Sequence, residues 1–197
     1  MYTIDKNINN EIVINKSRFI CYLIKVKNEE DISNNINELK KLYKDATHYC
    51  YSYIIGNTKI FNDDGEPGGT AGMPILNVLE NNNLNNVLCV VIRYFGGIKL
   101  GAGGLVRAYT KSVSQTIINS KLNELCIGKN ITISFSYDNT KTIDNILKDI
   151  SINDKNFDEI ITYNFDISDN EYNDIYEKLK NIINNIDIKE NIIIEKK

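Results

Sequence analysis

The sequence has no tryptophan, only two prolines and one histidine, and four cysteines among its 197 residues. The cysteines form no Cys-x-x-Cys pair and lie in apolar surroundings, which argues against a zinc site or a disulfide framework and favours reduced, buried thiols. No apolar run approaches the ~18 residues that a membrane-spanning helix needs. The first residues also lack the apolar stretch of a secretory signal. These absences predict a cytoplasmic protein without a membrane segment.

The net charge of −3 argues against a general affinity for nucleic acid, but the charge is unevenly spread. Residues 1–126 hold 14 basic and 12 acidic side chains (+2), whereas residues 127–197 hold 9 and 14 (−5). No acidic residue occurs between Asn81 and Asn123. Five cations fall in that interval, namely Arg93, Lys99, Arg107, Lys111 and Lys121. An anionic partner is therefore expected to bind within this stretch.

Residues 46–109 differ in composition from the rest of the chain, which is rich in Ile, Asn, Lys, Asp and Tyr. They contain 10 of the 11 glycines, both prolines, all four alanines, the single histidine and two of the three arginines. Residues with unusual backbone freedom or titration behaviour are thus concentrated in one third of the chain. We expect the backbone of this segment to have a role that the rest of the chain does not have.

Hydrophobic periodicity predicts a mixed arrangement of strands and helices before residue 126. The predicted strands cover Glu11–Ile14, Arg18–Val26, His48–Ile55, Lys59–Phe61 and Val87–Tyr94. The predicted helices are one capped by Asn28 and extending to Tyr43, then Met73–Leu79 and Leu105–Leu122. The continuous apolar run of Val87–Tyr94 indicates a strand that is buried on both faces.

After Gly128 the pattern changes to simple alternation, and we place a domain boundary at residues 126–129. The order β-α-β-β-α-β predicts a small ferredoxin-like domain over residues 127–197. Its predicted strands are Ile131–Tyr137, a segment near Ile152, one within Phe157–Ile167, and Ile188–Ile194. Its predicted helices are Thr142–Ile150 and a helix that runs from a Ser168–Glu171 capping box to Ile183.

The segment Arg93–Tyr109 reads as a strand, a glycine-rich loop and the start of a helix. Glycines allow positive φ and close approach of a ligand, and the free N–H groups of a helix N-terminus attract anions. Tyr94 and Phe95 add rings suited to stacking. The candidate nucleic-acid- or anion-binding residues are Arg93, Gly96, Gly97, Lys99, Gly101, Gly103, Gly104, Arg107 and Lys111. The alternative is a tight strand-to-helix connection with its glycines packed against the sheet. The sequence of this segment matches neither a Walker A loop nor a Rossmann fingerprint.

An acidic loop, Asn62–Gly72, is the second candidate. Three acids in four positions suit a hard cation or a general base, but the spacing is not that of an EF-hand. We prefer the alternative that these acids accept hydrogen bonds from main-chain N–H groups or pair with Arg93 or Arg107. With the nearby histidine, the candidate functional loop comprises His48, Asp63, Asp64, Glu66 and Thr70.

His48 and Cys50 lie two residues apart, so they face the same side of a predicted strand. A Cys–His nucleophilic pair needs a thiolate polarised by the imidazole. Apolar and aromatic neighbours favour structural roles for both residues. We therefore assign no catalytic residue, no metal and no cofactor.

Four runs of residues resemble the IMPACT family (uncharacterised protein family 0029), and in particular its bacterial YigZ- and YvyE-like members. The runs are Lys16–Phe19, Ala46–Cys50, Asp63–Leu76 and Val90–Tyr109. The resemblance covers about residues 1–125. It implies an α+β protein with an N-terminal domain (1–126) of the ribosomal protein S5 domain 2-like fold. It also implies a ferredoxin-like C-terminal domain similar to the last domain of elongation factor G.

The resemblance implies a link to translation, since eukaryotic members carry an RWD domain and regulate translation through the Gcn1–Gcn2 pathway. We expect no RWD domain here and do not transfer those partners. The preferred hypothesis is a binding protein for RNA or the ribosome. The alternatives are an enzyme acting on a phosphorylated or peptide substrate at Asp63, Asp64, Glu66 and His48, or a protein-interaction module without a ligand.

Overall fold

The computed structural model describes residues 1–196 as a mixed α/β protein with antiparallel sheets. It contains two compact units, Met1–Glu124 and a second that begins at Leu125. No helix in the described part of the chain combines the length and apolar character needed to cross a membrane.

The first unit is built on a five-stranded antiparallel sheet. The five strands are β2 (Ile8–Ile14), β3 (Ser17–Lys25), β4 (His48–Ile55), β5 (Thr58–Asn62) and β6 (Val87–Tyr94), and a short strand that precedes them, β1 (Tyr2–Ile4), lies outside this sheet. Its helices are α1 (Glu29–Leu42), α2 (Gly72–Asn81) and α3 (Gly101–Ile118). The sheet has the order β2-β3-β6-β4-β5, which places β6 at its centre.

Helices cover both faces of this sheet. Side chains of β3 and β6 alternate between a core shared with α2 and α3 and a second core shared with α1. Val91 belongs to the first core, and Val90 and Ile92 to the second. All residues of β6 up to Arg93 are buried. The predicted burial of this strand on both faces is confirmed.

A tight turn joins β2 to β3, and the predicted cap of α1 is confirmed. Asn15 and Lys16 have φ of 45° and 64°, which forms a tight hairpin turn between β2 and β3. The Asn28 side chain accepts a hydrogen bond from the Asp31 N–H at 2.8 Å and caps α1.

The start of α3 differs from the prediction. The helix begins at Gly101 rather than at Leu105, so Gly103 and Gly104 lie in its first turn. The predicted start was late because glycine is a poor helix former, and apolar periodicity gives no signal across a glycine run. The connection between β6 and α3, which we call the glycine-rich loop, is therefore only residues 95–100.

The sequence did not indicate β1, which pairs with the beginning of a later strand, β7 (Leu122–Phe135). Tyr2 lies opposite Glu124, and the Tyr2 N–H donates to the Asn83 carbonyl at 2.9 Å. A three-residue strand has too few positions for alternation to be recognised, so only tertiary pairing defines it.

The second unit has its own antiparallel sheet, ordered β8-β9-β7-β10. After β7 come a short 3-10 helix (Tyr137–Asn139), α4 (Thr140–Ile146), β8 (Ile152–Phe157), β9 (Ile161–Ser168), α5 (Asp169–Leu179) and β10 (Asn185–Glu195). Ile131, Ile133 and Phe135 point into the core, as the alternation predicts. Tyr137 does not, because the chain has left the strand and entered the 3-10 helix.

The predicted capping box of α5 is wrong in its contacts. Ser168 donates its hydroxyl to the Glu171 carboxylate, but its side chain accepts no hydrogen bond from the helix backbone. The helix also ends at Leu179, before the predicted Ile183. Beyond the helix, the Asn184 N–H donates to the Ser134 carbonyl of β7 at 2.7 Å.

Candidate functional site

A buried ion pair links the acidic loop to the central strand. Arg93, near the end of β6, donates from Nη1 to Glu66 Oε1 at 2.5 Å. The Tyr109 hydroxyl, from α3, donates to the same oxygen at 2.8 Å. Both charged residues are less than 10% exposed. A strand, a loop and a helix therefore meet at one carboxylate oxygen.

The rest of the Arg93 guanidinium is enclosed by the protein. Its central carbon lies 5.4 Å from the Phe19 ring centroid and 5.6 Å from that of Phe95. Nη2 lies 3.5 Å from Ser17 Oγ, and the buried Nε has no hydrogen-bond partner within residues 1–196. Aromatic faces attract a guanidinium ion and so replace part of its lost hydration. Arg93 thus holds the site together from inside and does not face solvent.

Asp63 folds the acidic loop around its own carboxylate. One oxygen accepts the N–H groups of Ala71 and Gly72 at 3.0 and 2.8 Å, and the other accepts the Gly69 N–H at 2.8 Å. These contacts satisfy main-chain donors at the start of α2, where a negative charge is also favoured by the helix dipole. Asp63 therefore acts as an anchor for the loop.

The neighbouring polar residues of the acidic loop also make internal contacts. Asp64 accepts the Tyr49 N–H at 2.6 Å, and its carbonyl lies 2.8 Å from Nδ1 of His48. The Thr70 hydroxyl donates to the Pro67 carbonyl at 2.6 Å. Within residues 1–196, no group of three or more His, Cys, Asp or Glu side chains is arranged to hold a metal ion. The loop pairs with Arg93, while Arg107 makes no ion pair with any described residue.

His48 and Cys50 both face this cluster but contact different atoms. His48 Nε2 lies 3.9 Å from Glu66 Oε2. The Cys50 thiol donates to the Asp63 carbonyl at 3.0 Å and lies 3.3 Å from the Tyr109 oxygen. Burial raises the pKa of Cys50 to about 12 and also raises the pKa of Tyr109. The thiol is therefore kept protonated, in contrast to the polarised thiolate of a Cys–His nucleophile.

Gly96 fixes the start of the glycine-rich loop against the β2–β3 turn. A Cβ at this position would lie 2.0 Å from the Lys16 carbonyl carbon, so only glycine fits. The Gly96 N–H donates to Ser17 Oγ at 3.1 Å, and the preceding Phe95 N–H donates to Thr47 Oγ1 at 3.0 Å. Gly96 is therefore packed against the protein, as expected for a tight connection between a strand and a helix.

Three glycines that follow Gly96 are open to solvent, namely Gly97, Gly101 and Gly103. Gly97 and Gly101 have φ of 81° and 69°, and a Cβ on either would meet nothing within 4 Å. Gly103 is exposed in the first turn of α3, whereas Gly104 packs on Leu100. Positive φ at Gly97 and Gly101 turns the chain into the helix, and the open space leaves the main chain accessible.

Three cations of the glycine-rich loop and the following helix α3 make no ion pair within the described part of the chain. Lys99, Arg107 and Lys111 are exposed and make no ion pair with any residue in 1–196. A Cβ built on Gly103 would lie 3.7 Å from Nη1 of Arg107, so this guanidinium extends towards the first turn of α3. Lys111 follows one helical turn later on the same face.

A fourth cation, Lys16, was not identified from the sequence. It is exposed in the β2–β3 turn and makes no ion pair with the described residues. The Gly96 contact places its backbone beside the glycine-rich loop, although 80 positions separate the two residues. No local signal could have revealed this neighbour, because strand pairing alone brings the turn to the loop. We call Lys16, Lys99, Arg107 and Lys111 the cationic surface.

Comparison with known proteins shows what the chain is similar to. Residues 15–117 match the Impact N-terminal domain. The chain is 39% identical over 195 residues to the IMPACT family member YvyE of Bacillus subtilis, covering 96% of this chain and 90% of that protein. It is 39% identical over 109 residues to YigZ of Escherichia coli, covering 53% of each. A crystal structure of a hypothetical protein superimposes with a TM-score of 0.71 at 27% identity, covering 91% of each chain. The resemblance found in the sequence is thereby confirmed, and the chain belongs to the IMPACT family.

Proposed function

We propose that this protein binds RNA, free or within the ribosome, through the cationic surface, and that it acts in translation regulation. The observation that carries the proposal is the separation of charges. Asp63 and Asp64 accept hydrogen bonds from main-chain N–H groups and Glu66 is buried with Arg93, whereas Lys99, Arg107 and Lys111 face solvent without an ion pair among residues 1–196.

This separation creates a positive region on a protein whose net charge is −3. No acid occurs between Asn81 and Asn123, so the nearest negative charges must come from other segments. Glu66, the acid closest to Arg93, is buried and shared with Tyr109. A phosphate backbone gains from contact with such exposed cations because it releases its condensed counterions.

The folds that we propose for the two units support a role in translation. We propose a ribosomal protein S5 domain 2-like fold for the first unit. For the second we propose a ferredoxin-like fold, which the order β-α-β-β-α-β and the sheet order β8-β9-β7-β10 support. The family resemblance associates both folds with ribosomal or translation-factor proteins, and it implies translation regulation for eukaryotic members. A cytoplasmic location is part of the same proposal.

An enzyme acting at the acidic loop has less support. Asp63 and Asp64 accept hydrogen bonds from backbone N–H groups, and Glu66 is engaged by Arg93 and Tyr109. A general base needs a carboxylate or imidazole within reach of substrate. These acids instead hold the loop in shape.

The test is the salt dependence of RNA binding, measured by fluorescence anisotropy with a labelled single-stranded RNA. Each lost phosphate contact lowers the log–log slope by about 0.7 for a single strand. Lys99→Ala combined with Lys111→Ala should therefore flatten the slope by about 1.4 and weaken binding at low salt. The matched control is Lys41→Ala with Lys44→Ala, at and just beyond the end of α1, a helix packed on the opposite face of the sheet. This control variant should change neither the salt slope nor the affinity at low salt.

Sedimentation with ribosomes, carried out in parallel, distinguishes whether the partner is free RNA or the ribosome. An unchanged slope and affinity in the folded Lys99/Lys111 double variant would contradict the proposed surface. Absence of binding to both RNA and ribosomes would favour the protein-interaction module instead.

A further inference from the structure

Phe95 is an exposed aromatic ring within the glycine-rich loop. Its side chain is 46% exposed, directly after β6 ends. The backbone on either side of the ring is fixed, because the N–H groups of Phe95 and Gly96 donate to Thr47 and Ser17. An exposed ring on a fixed backbone loses little conformational freedom when it binds a partner.

One side of the Phe95 ring is occupied from within the protein. The buried Arg93 guanidinium lies 5.6 Å from the ring centroid and is itself held by Glu66. The exposed part of the ring is therefore the side away from Arg93. The charge pair beneath holds this ring in a defined position.

Two exposed lysines belong to chain segments next to Phe95. Lys99 lies four residues after Phe95 in the same loop. Lys16 belongs to the turn that packs against Gly96, the residue next to Phe95. An exposed ring with one lysine in the same loop and another in the adjoining turn matches the combination that binds single strands, in which bases stack on aromatic side chains and cations contact the backbone.

We infer that the glycine-rich loop binds single-stranded RNA in preference to duplex RNA, with a base stacked on Phe95 and adjacent phosphates held by Lys16 and Lys99. This inference rests on the proposed function and specifies its ligand. In a duplex the base faces are covered by neighbouring base pairs, so the ring would have nothing to stack on. Lysines alone would not distinguish the two forms, because both carry phosphates.

The experiment compares two probes on the full chain by fluorescence anisotropy. One is a labelled oligouridylate of about 12 nucleotides, within the usual site size, and the other is the same strand annealed to oligoadenylate. The unmodified protein should bind the single strand at least about 10-fold more tightly, which corresponds to one stacked base. This comparison needs no variant.

The variant Phe95→Leu retains an apolar side chain but removes the aromatic face. It should weaken binding of the single strand by about 5- to 150-fold, the loss typical of one stacked base. It should leave duplex binding and the salt slope unchanged, because no charge is removed. Phe95→Tyr should retain the affinity. The matched control Phe61→Leu changes another exposed ring, 40% accessible on β5, and should have no effect.

Equal affinity for the two probes, or a folded Phe95→Leu variant with unchanged single-strand affinity, overturns the inference. If binding then still depends on Lys99 and Lys111, the proposed function stands and only the single-strand preference is wrong. If neither probe binds, this inference is wrong, and the sedimentation with ribosomes then decides whether the proposed function stands.

Discussion

Arg93 and Glu66 form a buried ion pair whose side chains are only 6% and 3% exposed, with Nη1 and Oε1 2.5 Å apart. The pair joins the central strand to the acidic loop, and Tyr109 adds a third element by donating to the same oxygen. Because water is excluded, each charge depends on the other for its stabilisation. This contact joins β6, the acidic loop and α3, and α3 carries Arg107 and Lys111 of the cationic surface.

Removing one partner of this pair should be strongly destabilising. Arg93→Met leaves the Glu66 charge buried without a counter-charge, which typically costs about 3–5 kcal/mol in the free energy of unfolding. Urea denaturation followed by circular dichroism measures this loss. Lys59→Met is the control, since it breaks the exposed pair with Glu80 and should cost no more than about 1 kcal/mol. Equal losses in the two variants would show that the Arg93–Glu66 pair is solvated.

Gly96→Ala should destabilise the first unit, because the new Cβ would lie 2.0 Å from the Lys16 carbonyl carbon and must displace backbone. We expect a loss above about 2 kcal/mol, in the range of overpacked sites. Gly68→Ala is the matched control, since a Cβ there meets nothing within 4 Å and its φ is not positive. Thermal unfolding compares the two. A Gly96→Ala protein as stable as Gly68→Ala would contradict the packing of the loop on the β2–β3 turn.

Cys50 should resist alkylation in the folded protein. Burial raises the pKa of its thiol to about 12, so the reactive thiolate becomes abundant only as the pH approaches that value. Treatment with iodoacetamide at about pH 8, near the ordinary thiol pKa, followed by peptide mass spectrometry should modify the half-buried Cys126 first. Rapid, His48-dependent labelling of Cys50 would instead support a Cys–His nucleophile.

Limited proteolysis of the full chain should give a stable fragment of about 125 residues, as we propose that the two units fold separately. Each unit has a hydrophobic core made from its own residues, so the second can open without exposing the first. Mass spectrometry locates the cuts. A first cut within residues 90–110 would contradict this division.

The sequence by itself determined several local elements of this protein. The apolar run Val87–Tyr94 implied a strand buried on both faces, since no polar side chain interrupts it before Arg93. Asn28 marked the start of α1 because its side chain can accept a main-chain N–H. The concentration of glycines and cations also pointed to the segment that contains Lys99, Arg107 and Lys111, since glycine content and charge can be read without knowing which segments pair.

Tertiary structure alone decided which distant residues meet. Glu66 pairs with Arg93 and not Arg107 because β4 and β6 align His48 opposite Arg93, beside the acidic loop, whereas Arg107 faces outward from α3. Lys16 reaches the glycine-rich loop because the β2–β3 turn packs on Gly96. These contacts depend on strand register and on which helix face is buried. Both are set by the whole sheet and its two cores, and no local stretch of sequence encodes them.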